Sequence, residues 1–282
     1  MALIGSLSSG VSGLQTFSKD LEIIGNNIAN VNTTAFKSGS LSFAESFSNT
    51  LRASQPSTST TSNTLAAQIG TGVQFSGVNT NFNQGALAST GQATDLGISG
   101  EGYFIVKSPT DSSVYATRVG NFRFDDKGFL VTQNGMHVQD IAGADIKLGT
   151  PPTGASLQSV SINRSGELIE HYSDGSDNTQ NGGTPQTIGV ATFKTKGALM
   201  SEGNGLFSFT AAGMNTPASG TYGTPGSAGC GTVESGMLEQ SNVDLTSEFA
   251  NMITAQRSFQ ANARVVTVSD SLLDDIVNLK RS

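Results

Sequence analysis

Two rows of apolar residues run through LIGSLSSGVSGLQTFSKDLEIIGNNIANV, which spans residues 3–31. Within each row the spacing is a multiple of seven, one row being Leu7, Leu14, Leu21 and Ile28 and the other Leu3, Phe17, Ile24 and Val31. Apolar residues at the a and d positions of a heptad are typical of helices that pack along a narrow seam. The pattern predicts one helix from residue 3 to about residue 31, with a length of roughly 43 Å.

A matching pattern occurs near the other end of the sequence. Its main row repeats every seven residues and has apolar neighbours, the row being Leu245, Met252, Phe259, Val266 and Leu273 and the neighbours Phe249, Ala263 and Val277. Asp244 suits the N-cap of a second helix, and Glu248 suits its first turn. We therefore predict a helix from near Asp244 to about Leu279, with Lys280 and Arg281 at the end where the helix dipole favours positive charge.

The first helix is predicted to be unstable by itself. Gly5, Gly10, Gly13 and Gly25 each destabilise it by roughly 1 kcal/mol relative to alanine, so it needs a packing partner. One interpretation is that both helices pack against a β core of the same chain. The seam is narrower than a core-facing stripe, however, which favours association of the helices with each other or with neighbouring copies.

The region between the helices has a different pattern. Residues 50–63 form a Ser/Thr-rich segment that predicts an extended or loop connector. From about Gly70 the apolar period becomes two, which is typical of strands, and Asn134-Gly135 between apolar runs indicates a hairpin. The predicted strands cover residues 73–78, 96–98, 103–106, 122–124, 129–131, 136–138, 160–162, 188–193 and 206–209.

These elements predict an α+β fold with a discontinuous terminal domain. The N- and C-terminal helices are expected to pair as a coiled coil, since the termini of a domain tend to lie close together. A central, mainly antiparallel β domain lies between them in the sequence. The expected boundaries are 1–35 and 240–282 for the terminal helical polymerisation domain, 36–70 for the connector and 71–239 for the central β domain.

Composition excludes several functional classes. Only 13% of the 282 residues are charged and the net charge is −7, so the basic stripe that binds nucleic acid is missing. No apolar run approaches the roughly 20 residues that span a bilayer, and the first ten residues do not resemble a cleavable secretory signal. The single cysteine, Cys230, excludes an internal disulfide framework. We expect no nucleic-acid partner and no membrane insertion.

Side chains suited to catalysis or metal binding are scarce. His137 and His171 are the two histidines, and the sequence has no HExxH, CxxC or EF-hand pattern. The paired carboxylates at 125–126 and 274–275 fit a hairpin turn and a solvated helix face. The sequence therefore offers no catalytic, cofactor-binding or metal-binding residues, and we expect that the chain is not an enzyme.

Residues 26–37, NNIANVNTTAFK, resemble the signature of the bacterial flagellar rod and hook protein family. The usual form of that signature has glycine at the position of Ala35. Two further blocks, residues 84–104 and 238–263, also resemble the family, so the resemblance covers three separated parts of the chain in the right order. The residues that match the family motif are Asn26, Asn27, Ala29, Asn30, Thr33, Phe36 and Lys37.

The resemblance implies a tubular homopolymer of many copies, in which the paired helices line the inner tube and their apolar rows form the polymerisation interface. Residues 242–246 and 260–263 look like a hook protein, so we favour a short hook subunit, a flexible joint that transmits torque from rod to filament. The alternative within the family is a distal or proximal rod subunit, a rigid drive shaft, which the short chain favours. A secreted β-rich fibre protein is the rival outside the family.

Partners and location follow from the same resemblance. Rod, hook-cap and hook–filament junction proteins are the implied neighbours. The implied export route is the flagellar export apparatus, which requires no cleaved signal. The chain would then be part of the extracellular hook or, as a rod subunit, of the basal body.

Overall fold

The computed structural model describes residues 2–54, 63, 65–149, 154–178, 180–181, 184–210, 213–215, 222–227 and 229–279. Lys280, Arg281 and the side chain of Leu3 lie outside this part of the chain. Two compact units are present. We call Met1–Asn30, Ser38–Asn81 and Val243–Ser282 together the helical unit, and Val31–Lys37 together with Phe82–Asn242 the β unit.

The helical unit contains both long helices and four strands. Its elements are α1 (Ala2–Ala29), β1 (Gly39–Glu45), β2 (Ser48–Arg52), β3 (Ala67–Gly70), β4 (Val73–Thr80) and α2 (Leu245–Leu279). The two helices confirm the predicted ones. At the start of α2, Asp244 Oδ1 accepts a hydrogen bond of 2.9 Å from the backbone N–H of Thr246, which is the predicted N-cap.

The four strands form one antiparallel two-stranded ribbon. β1 pairs with β4 and β2 pairs with β3. Two backbone hydrogen bonds join the pairs end to end, from Ser46 N–H to Gly72 O at 2.9 Å and from Thr71 N–H to Phe47 O at 2.8 Å. The expected connector at 36–70 therefore contains strands β1, β2 and β3, of which β1 pairs with β4 and β2 pairs with β3.

Helices α1 and α2 pack side by side and run antiparallel. Ser6 Oγ lies 3.3 Å from Ser269 Oγ, and Asn27 Nδ2 donates to Glu248 Oε1 at 3.1 Å. Residue numbers rise along one helix while those of their partners fall along the other, which fixes the antiparallel direction. The helical unit is therefore built from both ends of the sequence.

The β unit contains eighteen short strands and one 3₁₀ turn at Lys196–Ala198 among the described residues. The strands are β5 (Leu87–Ser89), β6 (Leu96–Ser99), β7 (Tyr103–Lys107), β8 (Val114–Thr117), β9 (Arg123–Phe124), β10 (Leu130–Val131), β11 (His137–Val138), β12 (Leu157–Ile162), β13 (Leu168–Tyr172), β14 (Asp177–Asn178), β15 (Gln180–Asn181), β16 (Thr184–Pro185), β17 (Val190–Phe193), β18 (Met200–Gly203), β19 (Leu206–Ser208), β20 (Met214–Asn215), β21 (Thr232–Ser235) and β22 (Met237–Glu239).

A nine-stranded sheet forms the centre of the β unit, in the order β18-β19-β8-β7-β11-β10-β9, with β17 pairing with both β7 and β20. The pairings between its strands are antiparallel. Its core is a cluster of fully buried side chains that includes Leu96, Phe104, Leu130 and Ile188. The mainly antiparallel β region is confirmed.

The two compact units divide the chain differently from the expected domain boundaries at two places in its N-terminal part. The predicted strand at 73–78 is β4 of the helical unit, so that unit extends to Asn81 instead of giving way to the β domain at residue 71. Residues Val31–Lys37 belong to the β unit rather than to the helical domain. Both differences arise from pairings between residues far apart in the sequence, which a local pattern does not reveal.

Candidate assembly surface

The contact between α1 and α2 is made mainly by small residues. A Cβ atom added to Gly10 would lie 2.9 Å from Val266 Cγ2, and one added to Gly13 would lie 3.0 Å from Asn262 Nδ2. Ala255 and Ser269 are the most deeply buried residues of α2. Glycine therefore has a packing role at two positions where the sequence indicated only a loss of helix stability.

Only part of the predicted polymerisation interface lies in this contact. Ile24 is buried, and Phe17 packs against Phe43 of β1 with ring centroids 5.5 Å apart. The half-buried predicted residues are Leu7, Leu14, Leu21, Ile28, Met252, Val266 and Leu273 of the helical unit and Val31 of the β unit, whereas Leu245, Phe249, Phe259 and Val277 are exposed.

Exposed apolar surface is concentrated in the helical unit. Among the described residues, nineteen large apolar side chains are exposed, and seventeen of them belong to this unit, the two others being Leu157 and Met200. Contiguous exposed apolar patches mark interaction sites. The helical unit is thus the candidate assembly surface.

Sequence reasoning missed many of these exposed side chains. Seven lie on the ribbon or beside it, in a region expected to be mostly a connector: Phe43, Phe47, Leu51, Leu65, Ile69, Phe75 and Val78. Five more lie on α2 outside the predicted rows, namely Ile253, Val265, Val268, Leu272 and Ile276. The spacing of the last four, at three or four residues, is a helix-face signal that the heptad row alongside them obscured.

Asn27 of the family motif joins three elements of the helical unit. It is 1% exposed. Its side-chain Nδ2 donates to Gly39 O at 2.8 Å and to Glu248 Oε1 at 3.1 Å, while its Oδ1 accepts from Gly39 N–H at 3.0 Å. This amide therefore holds the start of β1 and the first turn of α2 against the end of α1.

The other asparagines of the motif end the helix. Asn30 Nδ2 donates to Asn26 O at 2.9 Å and to Asn26 Oδ1 at 3.0 Å, one turn before it. Ala29 and Thr33 are exposed. Ala35, buried at 2% exposure, has a φ of 56°, in the left-handed region that favours glycine. Because glycine adopts a left-handed φ more readily than alanine does, glycine suits this position of the turn.

Lys37 ends the motif in a buried ion cluster of the β unit. Its Nζ contacts Glu239 Oε1 at 2.6 Å, and Arg118 Nη1 contacts Glu239 Oε2 at 3.0 Å. The Gly85 N–H also donates to Glu239 Oε1, at 2.9 Å. Burial lowers the pKa of Lys37, although its hydrogen bond and charge interaction with Glu239 oppose this shift. The cluster ties the N-terminal entry of the β unit to its last strand, β22.

Phe36 also joins the two ends of the β unit through its backbone. Its carbonyl oxygen accepts a hydrogen bond of 3.3 Å from the Asn242 N–H. Asn242 Nδ2 also donates to Asn83 O at 3.0 Å, and Lys37 Nζ donates to that oxygen at 2.8 Å. Three sequence segments, around residues 36, 83 and 242, therefore meet through hydrogen bonds at one end of the β unit.

Carboxylates line one groove of the helical unit. Asp20 and Glu248 face a space of about 360 Å³ together with Phe17, Ile24 and Phe43. Burial raises the pKa of Asp20. Burial also raises the pKa of Glu248, and the negative charges of Asp20 and Asp244 add to that effect, while the hydrogen bond from Asn27 opposes it.

The histidines have structural partners. His137 Nδ1 lies 2.9 Å from Asp145 Oδ2, and His171 Nδ1 lies 2.6 Å from Asp177 Oδ1. Within the described ranges, no group of three or more His, Cys, Asp or Glu side chains could hold a metal ion. Neither long helix has an apolar segment of the length and hydropathy needed to cross a membrane, in the portion that the structure covers.

Three domain families of the flagellum match separate parts of the chain. The "Flagella basal body rod protein" family matches residues 7–37, the "Flagellar hook protein FlgE/F/G D1 domain" family matches residues 97–169, and the "Flagellar basal body rod FlgEFG protein C-terminal" family matches residues 234–279. The first of these contains most of α1 with the motif, and the last contains all of α2.

Individual relatives match the chain from end to end. The flagellar basal-body rod protein FlgG of Bacillus subtilis is 40% identical over 279 residues, covering 99% of this chain and all of the relative. FlgG of Agrobacterium fabrum is 34% identical, covering 95% of this chain and 96% of the relative. These names are those of structural proteins, in agreement with the expectation that the chain is not an enzyme.

A hook relative also matches, but over a longer alignment. The flagellar hook protein FlgE of Borreliella burgdorferi is 26% identical over 443 aligned positions, covering 99% of this chain and all of the relative. Because 443 exceeds the 282 residues of this chain, the hook relative has segments that this chain lacks. The comparisons therefore favour the rod alternative over the hook that the sequence motifs favoured.

Proposed function

Because the chain belongs to the bacterial flagellar rod and hook protein family, we propose that it is a rod subunit of the basal body. The proposal rests on one observation, the end-to-end match with FlgG proteins of nearly the same length. The hook remains a second candidate because a hook protein also matches 99% of the chain. In either role the chain is a structural component of the bacterial flagellum, whose family members form polymeric assemblies.

Assembly into a helical tube would bury the exposed apolar surface of the helical unit. Full burial of a Leu or Phe side chain stabilises by about 1.5–3 kcal/mol. Several such side chains per copy offset the entropy lost when neighbouring copies become ordered. We place the polymerisation interface on the helical unit, with Leu245, Phe249, Phe259 and Val277 of the predicted rows as its exposed members.

The helical pair itself is proposed to be an antiparallel coiled coil. Two rows at spacings that are multiples of seven on α2 would form its side of the seam, one being Glu248, Ala255, Asn262 and Ser269 and the other Met252, Val266 and Leu273. Gly10 and Gly13 support this assignment because they lie against Val266 and Asn262. Coiled-coil geometry keeps such a seam in register along the whole helix.

The neighbours in the flagellum are proposed from the family resemblance. As a rod subunit the chain would contact further rod proteins, and the hook with its cap and junction proteins would follow distally. Export through the flagellar export apparatus without a cleaved signal belongs to the same proposal. A rigid shaft of these copies would transmit torque.

Electron microscopy of the purified chain at high concentration tests the function. We expect straight, rigid tubes. Curved tubes with low bending stiffness would support the hook instead. Small closed oligomers without tubes would overturn the assignment and favour a fibre protein bundled by its terminal helices.

A further inference from the structure

A groove of about 620 Å³ opens on one side of the helical pair. Apolar side chains from α1, β4 and α2 line it, namely Leu14, Val73, Phe75 and Phe259. Phe75 is 61% exposed and Phe259 is 37% exposed, so the aromatic part of the groove faces solvent. Exposed aromatic area of this kind is a strong source of binding energy because such rings bury large surfaces.

A stripe of exposed apolar residues lies on α2 itself, beginning six residues after Phe259. We call Val265, Val268, Leu272 and Ile276 the α2 stripe; all four are exposed. Their spacings of three and four residues place them along one face of the helix. An amphipathic helix that lays such a face into an apolar groove is a recurring mode of recognition.

The groove and the α2 stripe flank the helix contact on opposite sides. Asn262 lies in that contact, against Gly13. Residues three positions before and three positions after a given residue lie about 60° to either side of it around a helix. Phe259, which lines the groove, and Val265, which begins the stripe, occupy these two positions. A copy thus presents the groove on one side and the stripe on the other.

We propose that the α2 stripe of one copy docks into the groove of a second copy. The inference rests on the proposed self-assembly and names the two surfaces that carry it. Because the surfaces are different and lie on opposite sides, the contact is heterologous, and each copy can bind one neighbour on each side without closing. A stripe-to-stripe contact would instead close into a two-fold dimer and leave Phe75 and Phe259 exposed.

The charges on the two surfaces are compatible with the same pairing. Glu22 lines the groove, and its ion pair with Lys19 at 2.8 Å is exposed, which makes that pair weak. Arg264 directly precedes Val265 of the stripe and makes no ion pair within the described part of the chain. Lys19 also lines the groove, and Asp275 lies three residues after Leu272 of the stripe, so each surface carries a cation and a carboxylate that can pair across the contact.

Two single substitutions separate the surfaces. Phe75→Asp removes the groove and keeps the stripe, whereas Leu272→Asp removes the stripe and keeps the groove. We expect each variant alone to lose tube formation. Mixed in equal amounts, they should form a 1:1 heterodimer, because the first supplies an intact stripe and the second an intact groove. Sedimentation velocity of each variant and of the mixture measures this.

Met200→Asp is the matched control, since it places the same charge on an exposed apolar residue of the β unit. We expect it to form tubes like the unmodified chain. Circular dichroism checks the fold, and Phe259→Asp with Ile276→Asp provides a second pair if either first variant loses its secondary structure.

The docking proposal would be overturned if the mixture remained monomeric or if the single variants assembled normally. In that case, tubes formed by the unmodified chain would still support the rod function. Dimers of Phe75→Asp alone would show a stripe-to-stripe contact and also overturn it. Absence of tubes from the unmodified chain would count against the proposed function itself.

Discussion

Gly10 of α1 lies against Val266 of α2 so closely that an added Cβ would be 2.9 Å from Val266 Cγ2. Atoms at that separation must move apart, and a valine methyl held between two helices has little room to do so. The distance between the helices is therefore set by the missing side chain. Beside this contact, Leu14 of α1 and Leu273 of α2 are only half-buried.

Gly10→Leu should separate the helices and destabilise the helical unit by about 2 kcal/mol, in the range of overpacked cores. Gly25→Ala is the matched control, because nothing lies within 4 Å of a Cβ added at Gly25. It should stabilise the unit by up to about 1 kcal/mol through helix propensity. Urea unfolding followed by the helical circular dichroism signal measures both, and equal effects of the two substitutions would contradict this packing role.

Glu239→Gln should destabilise the β unit by about 3 kcal/mol or more, because it leaves Lys37 and Arg118 buried without their counter-charge. Denaturant unfolding of the full chain, followed by near-ultraviolet circular dichroism of the β unit, gives this value. Glu22→Gln breaks an exposed ion pair and should change stability by less than about 0.5 kcal/mol. If Glu239→Gln lowered the free energy of unfolding by as little as Glu22→Gln does, the ion cluster would contribute nothing to stability.

Ala35→Gly should stabilise the chain by about 0.5–1 kcal/mol. A left-handed φ disfavours alanine by roughly 1–2 kcal/mol, and the loss of one buried methyl group offsets part of the gain. Ala29→Gly, at an exposed helical position, should have the opposite sign. Thermal unfolding of both variants compares them, and destabilisation by both would show that the turn is not strained.

Asp20→Asn should stabilise the helical unit at neutral pH. The folded-state pKa of Asp20 is raised by burial, so its protonated form is favoured on folding. The stability that protonation of Asp20 adds to the folded state is fully present below the unfolded pKa of about 4. It is lost as the pH rises through the raised pKa of the folded state. The unmodified chain should thus gain helix stability between pH 7 and pH 4 from this group.

Chemical unfolding at pH 7 and at pH 4.5 tests the Asp20 prediction. The variant should be more stable than the unmodified chain at pH 7 and should show a smaller change between the two pH values. Glu22→Gln on the same helix, with its exposed side chain, should keep the pH dependence of the unmodified chain. An unchanged pH dependence in Asp20→Asn would contradict the prediction.

The sequence predicted the helices and most of the strands because their signals are local. Asp244 at the N-cap and the heptad rows define α2 to within a residue or two. The same rows were less informative about contacts, since Leu14 and Leu21 are only half-buried while Gly10 and Gly13 fill the seam. Glycine lowers helix propensity everywhere, and only the position of a second helix shows where it is needed.

The ribbon and the ion cluster could not be predicted because their partners are distant in the sequence. Gly39 pairs with Thr80 across a segment rich in serine and threonine. Glu239 meets Lys37 across 202 residues and Arg118 across 121. The motif did mark Asn27 and Lys37 as important, yet it carried no information about the residues that they contact.

The long separation between α1 and α2 has a consequence for the order of folding. Asn27 and Glu248 are 221 residues apart, and Ser6 and Ser269 are 263 apart. Closing so large a loop is entropically unfavourable and slow unless intervening structure brings the ends together first. We therefore expect the β unit to fold early during synthesis, and α1 to wait, largely unstructured, until the last helix has been made.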